Sequence, residues 1–165
     1  MWVVNVEKNI TVAFTGHRNY NRSADAELRE LLEALYADGY RRFLCGMAWG
    51  FDLAAAEAVV ELRAEHSDVQ LIAVEPFADF RKLFRGEDAE RYERVKAAAD
   101  KVVVVGERGD RMDYILRNDY LVANASAIVA WWNGTKHGGT AYTVKQARKA
   151  KILCYNLCDR ELPLF

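Results

Sequence analysis

The sequence lacks the features that mark disordered, secreted and membrane-spanning chains. It has two prolines among 165 residues and no low-complexity run, so long disordered segments are not expected. No apolar run approaches the roughly 20 residues that a membrane-spanning helix needs. The N-terminus has neither the basic region nor the long apolar core of a secretory signal. We therefore expect a single cytoplasmic domain over residues 1–165, without membrane contact.

Motifs for metals and common cofactors are also missing. The three cysteines form no C-x-x-C pair, and the three histidines are scattered without an H-E-x-x-H motif. Neither a G-x-G-x-x-G fingerprint nor a Walker A loop occurs, which disfavours ordinary dinucleotide and ATP sites. The sequence accordingly predicts no metal and no cofactor.

The net charge is small, but the charged residues are unevenly distributed along the chain. The net charge is −1, whereas residues 1–80 carry 7 Lys and Arg against 13 Asp and Glu, and residues 81–165 carry 16 against 11. The total argues against a generic nucleic-acid binder, which needs a strong positive charge. The basic second half would suit an anionic ligand, although most of its charges are expected on a solvated surface.

Short apolar runs alternate with segments of helical periodicity. The run ITVAF at 10–14 reads as a strand, and four leucines recur at helical spacing within 24–39. Ser23 is predicted to cap that helix and Gly39 to end it. Further strands are predicted at 41–45, 69–74, 101–105, 127–132 and 152–156, and further helices at 52–66, 87–100, 112–125 and 140–150. Continuously apolar strands belong to a sheet covered on both faces, so the fold class is α/β with a mainly parallel, three-layer, Rossmann-like arrangement.

Glycine and polar residues follow four of the predicted strands. The segments are TGHRNYNR, GMAWGFD, EPF and WWNGTKHGGT, after the first, second, third and fifth strands. In an open parallel sheet, ligands bind beyond the carboxyl ends of the strands. Glycine lets a ligand approach the backbone, and the helix that follows offers free N–H groups and a positive dipole end. Phosphate is the group that such turns favour.

Each candidate residue has a structural alternative. Gly16 could only turn the chain, and Arg18 could pair with a surface carboxylate instead of a phosphate. Asp52 could cap its helix or accept a hydrogen bond from a ribose hydroxyl. Glu75, at a strand end, is the best carboxylate for acid–base chemistry, but it could equally be structural. Arg117 and Asn118, within one helical pattern, could belong to a solvated face.

The two tryptophans that end the fifth strand should point to opposite sides of the sheet. We expect one of Trp131 and Trp132 to lie in the core. The other could cover a nucleobase or a subunit contact.

The ordered set of motifs resembles the YpsA-like branch of the SLOG superfamily, which includes DprA proteins and LOG phosphoribohydrolases. The matching segments are TGHR (15–18), GMAWGFDLAAAE (46–57), EPF (75–77), RNDYLVANASAIVAWW (117–132) and GGTAYTVKQA (138–147). The resemblance implies a modified Rossmann fold with a ligand pocket. With the motif residues His17 and Glu75 added, the predicted ligand-binding set is Gly16, His17, Arg18, Gly46, Gly50, Asp52, Glu75, Arg117, Asn118, Gly138, Gly139, Thr140 and Thr143.

The resemblance implies three alternative functions. The first, which we favour, is binding or sensing of a nucleotide-derived small molecule that carries phosphate and ribose. The second is LOG-like hydrolysis of the N-glycosidic bond of nucleoside monophosphates. LOG enzymes carry P-G-G-x-G-T-x-x-E at the final loop, whereas this chain has HGGTAYTVKQ without a glutamate, which leaves Glu75 or Asp52 as substitutes for the carboxylate.

The third function is DprA-like binding of single-stranded DNA. It would need a positive groove and stacking aromatics. The basic residues that could contribute, although a plain helix surface also explains them, are Arg81, Lys82, Arg85, Arg91 and Arg94. Homo-oligomerisation is a further expectation from this resemblance, with Trp49 or Tyr142 as contact residues. Whether any bond is broken stays open at this point.

Overall fold

A computed structural model describes residues 6–158 of the chain. Within this range six strands alternate with five α-helices. The strands are β1 (Thr11–Gly16), β2 (Arg42–Cys45), β3 (Gln70–Glu75), β4 (Lys101–Val104), β5 (Ala127–Trp131) and β6 (Leu153–Asn156). The helices are α1 (Asp25–Ala37), α2 (Phe51–Glu65), α3 (Gly86–Ala98), α4 (Arg111–Ala123) and α5 (Gly139–Lys149), with 3₁₀ turns at Val6–Ile10 and Phe80–Leu83.

The six strands form one parallel sheet in the order β4-β3-β2-β1-β5-β6. The chain moves outward from β1 to β4 and then returns to the other side of β1 for β5 and β6. The strand order therefore reverses between β1 and β5, which is where open α/β sheets bind ligands. The predicted α/β, Rossmann-like architecture is confirmed.

Successive residues of the inner strands pack into two separate hydrophobic cores, one on each face of the sheet. In β1, Val12 and Phe14 pack into the larger core, with residues of α1, α2 and α3. Ala13 faces the opposite layer, where Leu121 of α4 and Ala147 of α5 cover the sheet. The four inner strands are thus sandwiched between two helical layers, which is why they carry no polar alternation. The edge strand β4 is an exception, with Val102 and Val104 exposed. Within residues 6–158, no helix is both long and apolar enough to span a membrane.

The beginning of α1 differs from the sequence prediction. Ser23 does not cap the helix; Ala24 occupies the N-cap position and makes no side-chain capping bond. Instead the Tyr20 hydroxyl accepts the Ala24 N–H at 3.2 Å and donates to Asp25 Oδ1 at 2.6 Å. A tyrosine from the preceding loop therefore binds the start of α1, where the sequence predicted a serine cap.

Candidate functional site

A cavity of about 910 Å³ opens at the carboxyl edge of the sheet, beside the reversal of strand order. Its walls come from the end of β1, the loops after β2 and β4, the starts of α2 and α5, and one side of α4. The lining residues are Phe14, Thr15, Gly16, His17, Arg18, Asn19, Ala48, Asp52, Gly109, Asp110, Arg111, Tyr114, Ile115, Arg117, Asn118, Leu121, Gly138, Gly139, Thr140 and Tyr142.

Nine of the thirteen predicted ligand residues lie together around this cavity. They are Gly16, His17, Arg18, Asp52, Arg117, Asn118, Gly138, Gly139 and Thr140. They belong to four separate segments of the chain, and only the parallel sheet brings these segments to one edge. Four predicted residues, Gly46, Gly50, Glu75 and Thr143, do not line it.

Glu75 lies apart from the other predicted residues and does not line the cavity. Its side chain is buried between β3 and α3, where the Tyr92 hydroxyl donates to Oε1 and Lys96 Nζ lies 3.3 Å from the same oxygen. Burial raises the pKa of Glu75, and the Lys96 ammonium opposes that rise. Glu75 points away from the cavity because successive strand residues face opposite sides of a sheet. These contacts favour the structural alternative for Glu75.

Gly16, Gly46 and Gly50 are small because protein groups pack against them. Gly16 is part of β1, pairing with Trp131, so it does not turn the chain, and a Cβ there would collide with the Phe51 ring. Gly50 caps α2 with a φ of 84°, and a Cβ would meet the Arg18 backbone. Gly16 and Gly50 let the start of α2 lie close to the end of β1, and of these two only Gly16 also lines the cavity.

Thr143 is likewise internal. It is fully buried in α5, and its hydroxyl donates to the Gly139 carbonyl at 2.9 Å, one turn earlier. This bond ties the first turn of α5 to the body of the helix. Thr143 therefore supports the cavity wall without contacting the cavity.

Asp52 lies in the first turn of α2 and is 6% exposed. Its Oδ2 accepts the Ala48 N–H at 3.3 Å, while its buried Oδ1 has no hydrogen-bond partner. Burial raises the pKa of Asp52 to about 6, against the opposing effects of Arg117, the Ala48 N–H and Arg18. Asp52 does not cap α2: Gly50 occupies the N-cap position without a side-chain capping bond, and Asp52 instead accepts an N–H from the loop before the helix. Its second oxygen is still unused, which leaves a hydrogen bond from a ribose hydroxyl as a prediction.

Arg117 and Asn118 are buried side by side in α4, at 6% and 7% exposure. Arg117 Nε donates to Asn118 Oδ1 at 2.9 Å, and Nη1 donates to the Gly46 carbonyl. Burial lowers the pKa of Arg117, while the nearby Asp52 raises it. The alternative of a solvated helix face is wrong for this pair. Arg117 is an internal cation that joins α4 to the loop after β2.

Arg18 and Arg111 lie at the cavity rim with exposed side chains. The Arg18 guanidinium lies 4.1 Å from the centroid of the Trp49 ring and 5.9 Å from that of Tyr114. Among the described residues, neither arginine forms an ion pair or a side-chain hydrogen bond with a protein group. Their N–H donors are thus available to an anion in the cavity.

The N-terminus of α5 opens on the same cavity. Gly138 caps it with a φ of 96°, a conformation that favours glycine, and the first helical hydrogen bond runs from the Tyr142 N–H to the Gly138 carbonyl at 3.0 Å. The amides of Gly139, Thr140 and Ala141 precede that bond and have no partner within the helix. The position next to Gly139 is open enough that a Cβ there would have Asn118 Nδ2 as its nearest contact, at 3.4 Å.

The N-terminus of α2 is not open in the same way. The Phe51 N–H donates to the His17 carbonyl and the Leu53 N–H to the Ala48 carbonyl, each at 3.2 Å. Asp52 adds a carboxylate at that point. Only α5 therefore offers the free amides expected of an anion-binding helix end among these two helices.

His17 lines the cavity as a neutral acceptor. Its Nε2 accepts the Asn133 N–H at 3.1 Å, and burial lowers the pKa of the imidazole. The ring also contacts Trp131 edge-on, with centroids 5.9 Å apart. His17 thus connects the end of β1 to the loop after β5.

Of the two tryptophans that end the fifth predicted strand, Trp131 lies in the core, with 8% of its surface exposed. The Trp132 indole N–H donates to the Thr135 carbonyl.

A family model that covers residues 11–156 matches this chain. The chain belongs to the YspA SLOG family. Curated relatives include a UPF0398 protein of Bacillus thuringiensis strain Al Hakam, 28% identical over 124 residues, which covers 74% of this chain and 67% of that protein. A UPF0398 protein of Bacillus cereus strain AH820 is 27% identical over the same length and coverage.

Two solved structures share the fold of this SLOG domain. DNA processing protein A (DprA) from Streptococcus pneumoniae matches with a TM-score of 0.65 and 17% identity, over 90% of this chain and 50% of that one. DprA from Helicobacter pylori, whose structure describes a single-stranded DNA binding mode, matches with a TM-score of 0.68 and 18% identity, over 96% of this chain and 69% of that one. This chain therefore spans half the length of the S. pneumoniae protein.

The SLOG cavity also includes a segment that the sequence reasoning missed. The loop after β4 and the start of α4 contribute Gly109, Asp110, Arg111, Tyr114 and Ile115. The signal was the segment GERGDR (106–111), which places two glycines and a helix-capping aspartate directly after a strand. Asp110 does cap α4, accepting the Met112 N–H at 3.0 Å.

The buried side chain of Asp113 holds the loop between β4 and α4 in place. It is fully buried, and its Oδ2 accepts the N–H groups of Arg108 at 2.8 Å and Gly109 at 2.5 Å. Gly106 has no room for a Cβ because Asp113 lies against it. The loop is thereby held in the shape that brings Arg111 to the cavity rim.

Proposed function

We propose that this domain binds a nucleotide-derived small molecule, with its phosphate near the first turn of α5 and between Arg18 and Arg111. The observation that carries the proposal is the convergence, on one cavity, of the α5 amides and two guanidinium groups without carboxylate partners. A site of about 910 Å³ lies within the 300–1,000 Å³ of typical small-molecule sites.

The energies are of the right order for a nucleotide. A helix N-terminus contributes about 0.3–2 kcal/mol to anion binding. Hydrogen bonds from charged groups contribute about 1.5–3 kcal/mol each. One helix end and two arginines would thus give about 3–8 kcal/mol before entropic costs, which corresponds to weak binding of phosphate alone. Tyr114, which lines the cavity, offers an aromatic ring for a base, which would add to the affinity.

The test is calorimetric titration of the purified protein with the four ribonucleoside monophosphates and with inorganic phosphate. Native mass spectrometry of the freshly purified protein would detect a retained nucleotide. We expect at least one nucleotide to bind more tightly than phosphate. Binding to none of the four at millimolar concentration, together with no retained mass, would remove the proposal.

Arg18→Ala provides the site-specific variant, and Arg94→Ala its control. Arg94 is an exposed arginine of α3 that does not line the cavity, so its removal changes net charge equally. Loss of one charged hydrogen-bond donor should weaken binding about 10- to 100-fold in Arg18→Ala. Arg94→Ala should bind as the wild type does, and equal losses in both variants would place the phosphate elsewhere.

Single-stranded DNA is a second candidate, favoured by the fold shared with H. pylori DprA. Most of the basic residues that could form a groove are already engaged. Arg81 Nε pairs with Glu93 at 2.5 Å, and Arg91 pairs with Glu57. Arg85 donates to the carbonyls of Lys82 at 2.6 Å and Phe84 at 2.8 Å. Such pairing supports the helix-surface reading of this segment.

Titration of a labelled oligodeoxynucleotide at low and high salt tests this second function. Micromolar, salt-sensitive binding would establish it, since phosphate contacts release counterions and weaken as salt rises. Absence of binding at low salt would leave the small-molecule function alone.

A further inference from the structure

One buried carboxylate that lines the cavity has an oxygen without a hydrogen-bond partner among the described residues. Asp52 lines the cavity and is more than nine-tenths buried, yet its Oδ1 has no partner among the described residues. Its other oxygen is held by the Ala48 N–H. Buried polar atoms in folded proteins are almost always hydrogen-bonded, so an unpaired carboxylate oxygen in a binding cavity indicates a missing donor.

The protein does not supply that donor from its nearest cation. Arg117 directs Nη1 to the Gly46 carbonyl and Nε to Asn118 Oδ1, and forms no ion pair with Asp52. Both side chains instead lie within 3 Å of the position that a Gly46 Cβ would take, Arg117 Nη1 at 2.8 Å and Asp52 Oδ2 at 2.9 Å. The positive charge of Arg117 stabilises an ionised Asp52 without using its oxygen.

A carboxylate excludes phosphate from its immediate surroundings and accepts hydrogen bonds from hydroxyl or N–H groups. The cavity therefore has two chemically different regions: a cationic one at Arg18, Arg111 and the α5 amides, and an acceptor at Asp52. A ligand that suits both carries phosphate at one end and a hydroxyl donor nearby. Within nucleotides, that description fits the ribose, which is bonded directly to the phosphate ester.

We propose that Asp52 accepts a hydrogen bond from a ribose hydroxyl, so that the site selects ribonucleotides over deoxyribonucleotides. This inference rests on the proposed nucleotide-binding function. It also separates that function from DNA binding, because an internal DNA nucleotide has no 2′-hydroxyl and its 3′-oxygen is esterified. Such a strand would leave the Asp52 acceptor unpaired, which is costly in a buried site.

The experiment compares each ribonucleoside monophosphate with its 2′-deoxy and 3′-deoxy forms by calorimetry at pH 7.5. At that pH Asp52 is mostly ionised, since its pKa is about 6. A hydrogen bond to a charged acceptor is worth about 1.5–3 kcal/mol, so removal of the contacting hydroxyl should weaken binding at least about tenfold. The deoxy position that weakens binding identifies the hydroxyl.

Two variants assign the preference to Asp52. In Asp52→Ala, the affinities for ribo and deoxy forms should agree within about twofold. Asp52→Asn keeps an uncharged acceptor and should retain a smaller preference than the wild type, about 2- to 12-fold, since neutral hydrogen bonds contribute about 0.5–1.5 kcal/mol. Asp52→Asn serves as the test if Asp52→Ala fails to fold. Arg18→Ala is the control, in which both forms should weaken by the same factor.

The outcomes separate the two proposals. If the wild type binds no nucleotide, the proposed function itself fails. If ribo and deoxy forms bind the wild type equally well, nucleotide binding stands and the ribose inference is overturned. If a ribose preference exists but survives unchanged in both Asp52 variants, another residue carries it and the assignment to Asp52 is wrong.

Discussion

Asp52 and Arg117 both lie against the backbone of Gly46. A Cβ added to Gly46 would lie 2.9 Å from Asp52 Oδ2 and 2.8 Å from Arg117 Nη1. The loop after β2 thus fits between a buried anion and a buried cation only because residue 46 has no side chain. This relationship makes Gly46 important for the cavity although it does not line it.

Gly46→Ala should therefore destabilise the fold. A methyl group forced into this packed position displaces charged groups, at a cost of about 1–3 kcal/mol in the free energy of unfolding. The matched control is Gly139→Ala, where the nearest contact to the new Cβ is an ordinary 3.4 Å. Thermal and denaturant unfolding would measure both variants. Equal stabilities would contradict the tight fit at Gly46.

The stability of the protein should depend on pH through Asp52. Its pKa rises from an ordinary 3.8 to about 6 on folding, so between those pH values the folded state holds more protons than the unfolded state. Folding stability from this group is complete below pH 4 and falls as pH rises towards 6, by about 3 kcal/mol in total. Asp52→Asn cannot ionise and lacks this contribution. Denaturant unfolding between pH 4 and pH 7 should show the wild type losing stability relative to the variant over that interval; a constant difference would contradict the raised pKa.

Glu75→Gln should leave nucleotide binding unchanged. Glu75 contacts Tyr92 and Lys96 and does not line the cavity, so neutralising it affects only the packing of α3 on β3. We expect affinities within about twofold of the wild type, measured by the same titrations. A tenfold loss of affinity in a folded variant would show that Glu75 contributes to ligand binding.

Incubation with AMP should release no free adenine. The final loop has no glutamate, and Glu75 does not line the cavity, which leaves Asp52 and the helix-capping Asp110 as its carboxylates. An N-glycosidic hydrolase needs a carboxylate beside the oxocarbenium-like transition state. Chromatography of the products after prolonged incubation checks the expectation. Adenine release that is lost in Asp52→Asn would instead identify a hydrolase with Asp52 as its catalytic carboxylate.

Local sequence patterns predicted the secondary structure closely. The six strands and five helices appear at the expected places within residues 6–158, with ends shifted by a few residues. β1 extends through Gly16, because that glycine is needed for close packing against Phe51 and not for a turn. The Ser23 cap was wrong because a tertiary contact from Tyr20 replaced it. Boundaries depend on such contacts, which periodicity does not contain.

The sequence by itself determined the alternation of strands and helices and, through it, the parallel sheet whose carboxyl edge gathers the motifs. Hydrophobic spacing and the chirality of βαβ connections suffice for that. Only the tertiary structure decided which motif residues reach the cavity, since strand registry turned Glu75 towards α3 and helix packing buried Arg117 beside Asn118. Side-chain direction and burial depend on neighbours that are distant in the chain. For the same reason the unpaired oxygen of Asp52 became evident only once α2, α4 and the loop after β2 were packed together.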